Sequence, residues 1–138
     1  MLIRTNYKIK LYPWYFKYLP ISDHAFTTFM SSTIYFNKDM YEELKNNNPK
    51  DLTQAVLLHQ LVHIQNCGFK KFLKYVLIKS YRLEEEHKAF TEMFVYLKSK
   101  NIEFDLKKVA KNFSGIRYLW MLDYSNALAT VEKWWKDA

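Results

Sequence analysis

Residues 57–65 read LLHQLVHIQ, an apolar run interrupted by His59, Gln60, His63 and Gln65. Its leucine, valine and isoleucine fall on every side of a 3.6-residue helix, and a helix apolar nearly all round belongs in the middle of a domain. The stretch is therefore predicted to form a central buried helix, with His59, Gln60 and His63 inside the molecule or on the floor of a cleft. Working outward, Asn48 can cap this helix and Pro49 suits its first position. Asn66, Cys67 and Gly68 provide the stop.

Upstream, the chain reads differently. Residues 25–37, AFTTFMSSTIYFN, are rich in Thr, Ile, Tyr and Phe, as a strand or hairpin would be, and YKIKLY at residues 7–12 alternates in a similar way. Downstream, helical patterns run from Phe69 to about Ser80 and from Leu83 to Lys98. Asp105 can cap a short helix through Phe113, and Ser125 or Asp123 can cap a last one that ends in VEKWW. With only two glycines, few tight turns are expected. No internal repeat is present, and the three asparagines at 46–48 are the only low-complexity linker. The expectation is one α+β domain over residues 1–138, mainly helical, with a small N-terminal sheet before the buried helix.

A chain of 138 residues that is 49% apolar and 18% aromatic can bury a substantial core. No run of eighteen apolar residues exists, and the first twenty residues are broken by charges and by Pro13 and Pro20. A soluble protein of the cytoplasm or of a viral particle fits better than a membrane span or a signal peptide. The single cysteine, Cys67, excludes an internal disulfide and a multi-cysteine zinc cage. Any bound metal must then be held by histidine and carboxylate.

Two histidines four apart on a helix project from one face, one turn apart, close enough to share a tetrahedral zinc ion. Spacing alone is weak support for a site, since two core histidines satisfied by hydrogen bonds would look the same. A third ligand decides between them, and RLEEEHKAF at residues 82–90 offers Glu84, Glu85, Glu86 and His87. At about 100° per residue, Leu83, Phe90, Met93, Phe94 and Leu97 set the inner arc of this helix and Glu86 falls within it. A carboxylate aimed into a core is costly unless it is paired or coordinates a cation. Glu86 is the first choice for the third ligand, with His87 at the edge of the arc and Glu84 in reserve. Glu84 and Glu85 fall on the flanks and read as a solvated face.

The run STIYFNKDMYEELKNNNPKDLTQAVLLHQLVHIQ, residues 32–65, followed by YRLEEEHKAF, residues 81–90, resembles the zincin-type metallopeptidase superfamily, specifically its small gluzincin-like domains of bacteria and phages. The ending from Phe113 to Trp135 is also similar to the close of such domains. The resemblance implies a strand before an HExxH helix, Zn2+ held by both histidines, and a glutamate on the next helix in an ExxA context, which Glu86 and Ala89 match. It also implies peptidase chemistry, with one departure. Gln60 stands where the family keeps the glutamate that takes a proton from the metal-bound water. An amide has the shape of that carboxylate but not its basicity, so zinc binding is expected to survive while hydrolysis is lost or much slowed. A natural pseudoenzyme and a deliberately inactivated enzyme would both leave glutamine there, and nothing else in the chain looks engineered. The expected role is structural or interactive, with a protein partner or larger assembly, and the phage members of the family suggest a particle component.

Two other readings follow from the formal charge of +7. In residues 69–82, Phe69, Phe72, Leu73, Val76 and Leu77 take one side of a helix and Lys70, Lys71, Lys74 and Arg82 largely the other, with no acid between. Such a helix can lie on a membrane or dock on an acidic partner, although the commoner arrangement packs its apolar side into the domain. Nucleic-acid binding finds no motif here, and the aromatic residues are interspersed with aliphatic ones as in a core. Two aromatic clusters, Trp134 with Trp135 and Trp14 with Tyr15 and Phe16, can seal a core or anchor a partner.

Overall fold

The computed structural model describes residues 6–15 and 24–138. Phe16 and Pro20, named above, lie outside these residues. Three strands form one sheet in the order β1 (Lys8–Leu11), β3 (Thr33–Phe36), β2 (Ala25–Phe26). The first pair is parallel, running from Lys8 opposite Thr33 to Leu11 opposite Phe36, and β2 is antiparallel to β3. In β3 the residue period of two places Ile34 and Phe36 in the core with no exposed surface. Each stretch expected to be extended therefore contributes strands, β1 within residues 7–12 and β2 and β3 within residues 25–37, while residues 27–32 between β2 and β3 are not strand.

Six α-helices follow: α1 (Lys38–Lys45), α2 (Asp51–His63), α3 (Phe69–Leu77), α4 (Lys79–Ser99), α5 (Leu106–Phe113) and α6 (Tyr124–Asp137). The architecture is α+β and mainly helical. Helix α1 was not legible in the sequence pattern, yet its Asn37 cap accepts a hydrogen bond from Met40 N at 3.0 Å. The start of α2 differs from the reading of Asn48 and Pro49. The helix begins at Asp51 after Lys50, which gives no side-chain cap, because the asparagines complete the end of α1 instead. Asn47 takes the left-handed conformation at φ 52°, and Asn47 N and Asn48 N donate to Leu44 O and Glu43 O. Helix α4 ends the same way, with Asn101 at φ 57° and Asn101 N and Ile102 N donating to Lys98 O and Leu97 O. This is a Schellman turn in which asparagine replaces the usual glycine, the next best residue for that backbone region.

Helices α3 and α4 are two helices rather than one. Ile78 alone, in extended geometry, breaks them, and buried Arg82 donates to Tyr75 O at 2.7 Å and Val76 O at 3.1 Å, satisfying carbonyls that the end of α3 leaves open. Asp105 and Asp123 cap α5 and α6 as the sequence suggests, each accepting a backbone N–H three residues on. The core holds Phe36, Ala55, Ile64, Phe94, Leu97, Phe113, Met121 and Val131, with Trp134 sealing it and Trp135 half-buried against Phe94. Trp14, in contrast, is exposed. Among the described residues, no helix is long and apolar enough to cross a membrane.

Candidate metal centre

Helix α2 packs along α4, and its apolar surround buries His59, Gln60 and His63. The two imidazoles lie one turn apart with their Nε2 atoms 3.0 Å from each other. From α4, the Glu86 carboxylate brings Oε2 to 3.4 Å from His59 Nε2 and Oε1 to 3.3 Å from His63 Nε2. Glu86 is 1% exposed, so the inner arc read from Leu83 to Leu97 does carry it into the core. It arrives on the second helix after α2, with α3 between them, rather than on the next one.

These donor groups fit a metal ion. Four ligands at about 2.0–2.1 Å around zinc stand about 3.3–3.4 Å from one another, and here the two Nε2 atoms are 3.0 Å apart and each faces its own Glu86 oxygen at 3.3–3.4 Å. One ligand atom from each of His59, His63 and Glu86 lies within 4.8 Å of the other two. Glu86 Oε2 is buried and receives no well-directed hydrogen bond, and neither do His59 Nδ1 or His63 Nδ1. Buried polar atoms usually have partners, and a cation held between the Glu86 carboxylate and the two ring nitrogens could supply them.

Aromatic rings fix the imidazoles. His59 meets the Phe90 ring edge-on at 4.4 Å, and His63 meets Phe29 at 4.9 Å, which in turn stacks on Tyr75 at 4.1 Å. Phe29 holds a left-handed backbone at φ 63°, an uncommon conformation for a bulky residue. Its carbonyl accepts from Gly68 N at 2.8 Å, which ties the loop after β2 to the start of α3 beside the centre. The Tyr75 hydroxyl donates to Glu86 Oε1 at 2.5 Å.

The electrostatics follow from burial and proximity. Burial lowers the proton affinity of His59 and would lower that of His63, but for His63 the adjacent Glu86 and Glu85 carboxylates outweigh it and raise the value. Burial alone would raise Glu86, yet the facing imidazoles His63 and His59 hold it far below the ordinary carboxylate range. Tyr75 and Tyr118, desolvated and close to Glu86, stay neutral well above the ordinary tyrosine range.

The other carboxylates of the EEE run separate. Glu84 is 63% exposed and pairs with Lys88 at 2.9 Å, so it stays on the solvated face. His87 is exposed and stacks on Trp134 at 4.7 Å, away from the cluster. Glu85 departs from expectation. It is 6% exposed rather than solvated, with Oε2 3.0 Å from Lys71 Nζ and 4.0 Å from His63 Nδ1. A carboxylate behind a ligand imidazole is a common support for metal-binding histidines, and Lys71 and His63 lower the Glu85 proton affinity against its burial. The sequence held a signal for this pair, since five basic residues without an acid are followed at once by three glutamates.

A cavity of about 110 Å³ opens onto the centre, lined by His59, Gln60, His63, Tyr75 and Glu86 and by Phe26, Thr27, Asn112, Arg117 and Tyr118. Gln60 Oε1 is buried there without a hydrogen bond. Tyr75, Asn112, Arg117 and Tyr118 were not legible as site residues, because nothing in their local pattern marks them. Comparison with protein-family models, with curated proteins and with solved structures finds no match to this chain.

Proposed function

We propose that this chain binds one zinc ion through His59, His63 and Glu86 and acts as a structural or interaction protein rather than as a peptidase. The observation that carries this reading is the meeting of three donor groups at 3.0–3.4 Å around a 1% exposed carboxylate. When bound, zinc supplies Lewis acidity and joins α2 to α4. The residues around it supply little for hydrolysis. The Gln60 amide can hydrogen-bond but cannot accept a proton at neutral pH, and general-base assistance is typically worth about 10²–10⁴ in rate. Tyr75 keeps its proton on the Glu86 side, holding that carboxylate's orientation. The cavity of about 110 Å³ is small beside the roughly 300–1,000 Å³ of ordinary ligand pockets. The likeness to the gluzincin-like domains, whose members include phage proteins, adds a particle component as the setting.

Elemental mass spectrometry on protein purified without a histidine tag or added metal tests the reading. About one zinc per chain, lost in His59→Ala, is expected. No zinc after supplementation overturns the metal assignment, and robust proteolysis by the chain as it stands overturns the non-hydrolytic role. Hydrolysis gained only in Gln60→Glu would show that glutamine is what silences the site.

A further inference from the structure

Helix α3 packs the opposite way from the expectation. Most of its apolar residues face solvent, Phe72 alone of the expected stripe being half-buried: Phe69 is 65% exposed, Leu77 75%, and Leu73 and Val76 38% each, with Ile78 beyond the helix at 46%. What it turns inward is Lys71 and Tyr75. Lys71 donates to Gln65 O at 2.7 Å and pairs with Glu85, while Tyr75 donates to Glu86. These bonds fix the rotation of α3 about its axis, because burying the phenylalanine and leucine stripe would pull both polar side chains off buried carboxylates. The outward apolar stripe is thus held in place by the same residues that support the metal centre.

A basic flank adjoins the stripe. At about 100° per residue, Lys70 and Lys74 follow directly on the arc of Phe69, Leu73, Val76 and Leu77. With Lys71 and Lys88 they line a cavity of about 420 Å³ between α3, α4 and the segment after α2. Glu85 also lines it, but Lys71 at 3.0 Å and Lys88 at 3.8 Å offset its charge. Lys74 lies 5.7 Å above the Tyr81 ring, where its charge stays near the surface.

We propose that α3 docks the protein on an anionic lipid bilayer, with Phe69, Leu73, Val76 and Leu77 entering the headgroup–acyl boundary and Lys70 and Lys74 meeting lipid phosphates. Charge and area select this occupant. An apolar stripe bordered by lysines is the pattern of a helix lying in a membrane interface, and the chain as a whole carries +7. The five outward side chains expose on the order of 400 Å², about half of what one partner contributes to a standard protein–protein interface. A single-helix stripe of that size suits a bilayer, which needs no complementary shape, better than a stable protein partner. This inference does not depend on the identity of the metal.

Flotation of the full chain with phosphatidylcholine vesicles, and with vesicles containing a quarter phosphatidylglycerol, tests it at low and at 0.5 M salt. Retention on the anionic vesicles alone is expected. The Phe69→Ser/Leu77→Ser and Lys70→Glu/Lys74→Glu double variants should each lose it by at least tenfold. All four positions are exposed, and unchanged metal content and thermal unfolding would establish that the variants fold. No retention on anionic vesicles overturns the proposal. So does retention that survives in Phe69→Ser/Leu77→Ser, since that is adsorption by charge alone. Equal competition by a soluble acidic polypeptide such as poly-glutamate would likewise overturn it, in favour of an acidic protein partner.

Discussion

Helices α3 and α4 are joined at a single residue, yet they distribute polar and apolar side chains in opposite ways. Helix α4 turns Glu85 and Glu86 inward beside Ala89, Phe90, Met93, Phe94 and Leu97, whereas α3 turns Phe69 and Leu77 outward and Lys71 inward. The difference teaches that α3 is oriented by one ion pair and two inward hydrogen bonds rather than by its apolar side. A buried carboxylate left unpaired costs more than a few exposed apolar side chains, which are ordinary on protein surfaces. Helix α4 is long enough to satisfy both demands, and α3, at nine residues, satisfies the polar one.

The largest way to break this comparison is Glu86→Ala. It should abolish metal binding and, by stranding a buried pair, destabilise the protein by about 3–5 kcal/mol in urea unfolding, whereas Glu84→Ala should change stability by no more than about 0.5 kcal/mol. Similar losses in the two variants would mean that the carboxylates are not divided between core and surface. Next, Phe94→Ala should cost about 3–5 kcal/mol and Phe69→Ala less than about 0.5 kcal/mol, read from the same unfolding curves. A costly Phe69→Ala would show that the stripe on α3 is already packed.

The pH dependence sharpens the inner half of the comparison. His63 has a raised proton affinity, so its pairing with Glu86 stabilises the metal-free protein fully below the ordinary value of 6.5 and ceases to do so as pH rises through the raised value. Glu86, held low, contributes above 4.5, and its contribution fades as pH falls towards its depressed value. The metal needs His63 neutral, so the metal-bound protein should respond in the opposite sense. Affinity for zinc should fall by up to about tenfold per pH unit below the His63 value, measured by competition with a chromogenic chelator. Parallel rather than opposed slopes for the metal-free and metal-bound forms would remove His63 from the ligand set. A modest effect concerns α1: Asn37→Ala should cost about 1 kcal/mol through its lost cap, seen as a small fall in thermal midpoint with metal content unchanged.

How much was legible differs between residues on one helix. Glu86 was readable because Leu83, Phe90, Met93, Phe94 and Leu97 mark one face of α4 and fix the inner direction. Glu85, one residue earlier, was not, because its burial depends on Lys71 arriving from α3. Asp105 and Asp123 were readable as caps because capping is settled within three residues. Asn48 was misread because two helix ends compete for the same asparagines, and a left-handed residue closing α1 used them first.

By itself the sequence determined the mainly helical α+β class, the burial of α2 and the presentation of His59, His63 and Glu86 towards the interior. Those features rest on periodicity and local hydrogen bonding, which act over a few residues. Only the tertiary structure decided that α3 faces outward, that Glu85 stands behind His63, and that Tyr75, Asn112, Arg117 and Tyr118 share the cavity with Gln60. The physical reason is that a helix's rotation is set by its costliest unsatisfied groups. Those groups on α3 find their partners on α4 and in the segment after α2.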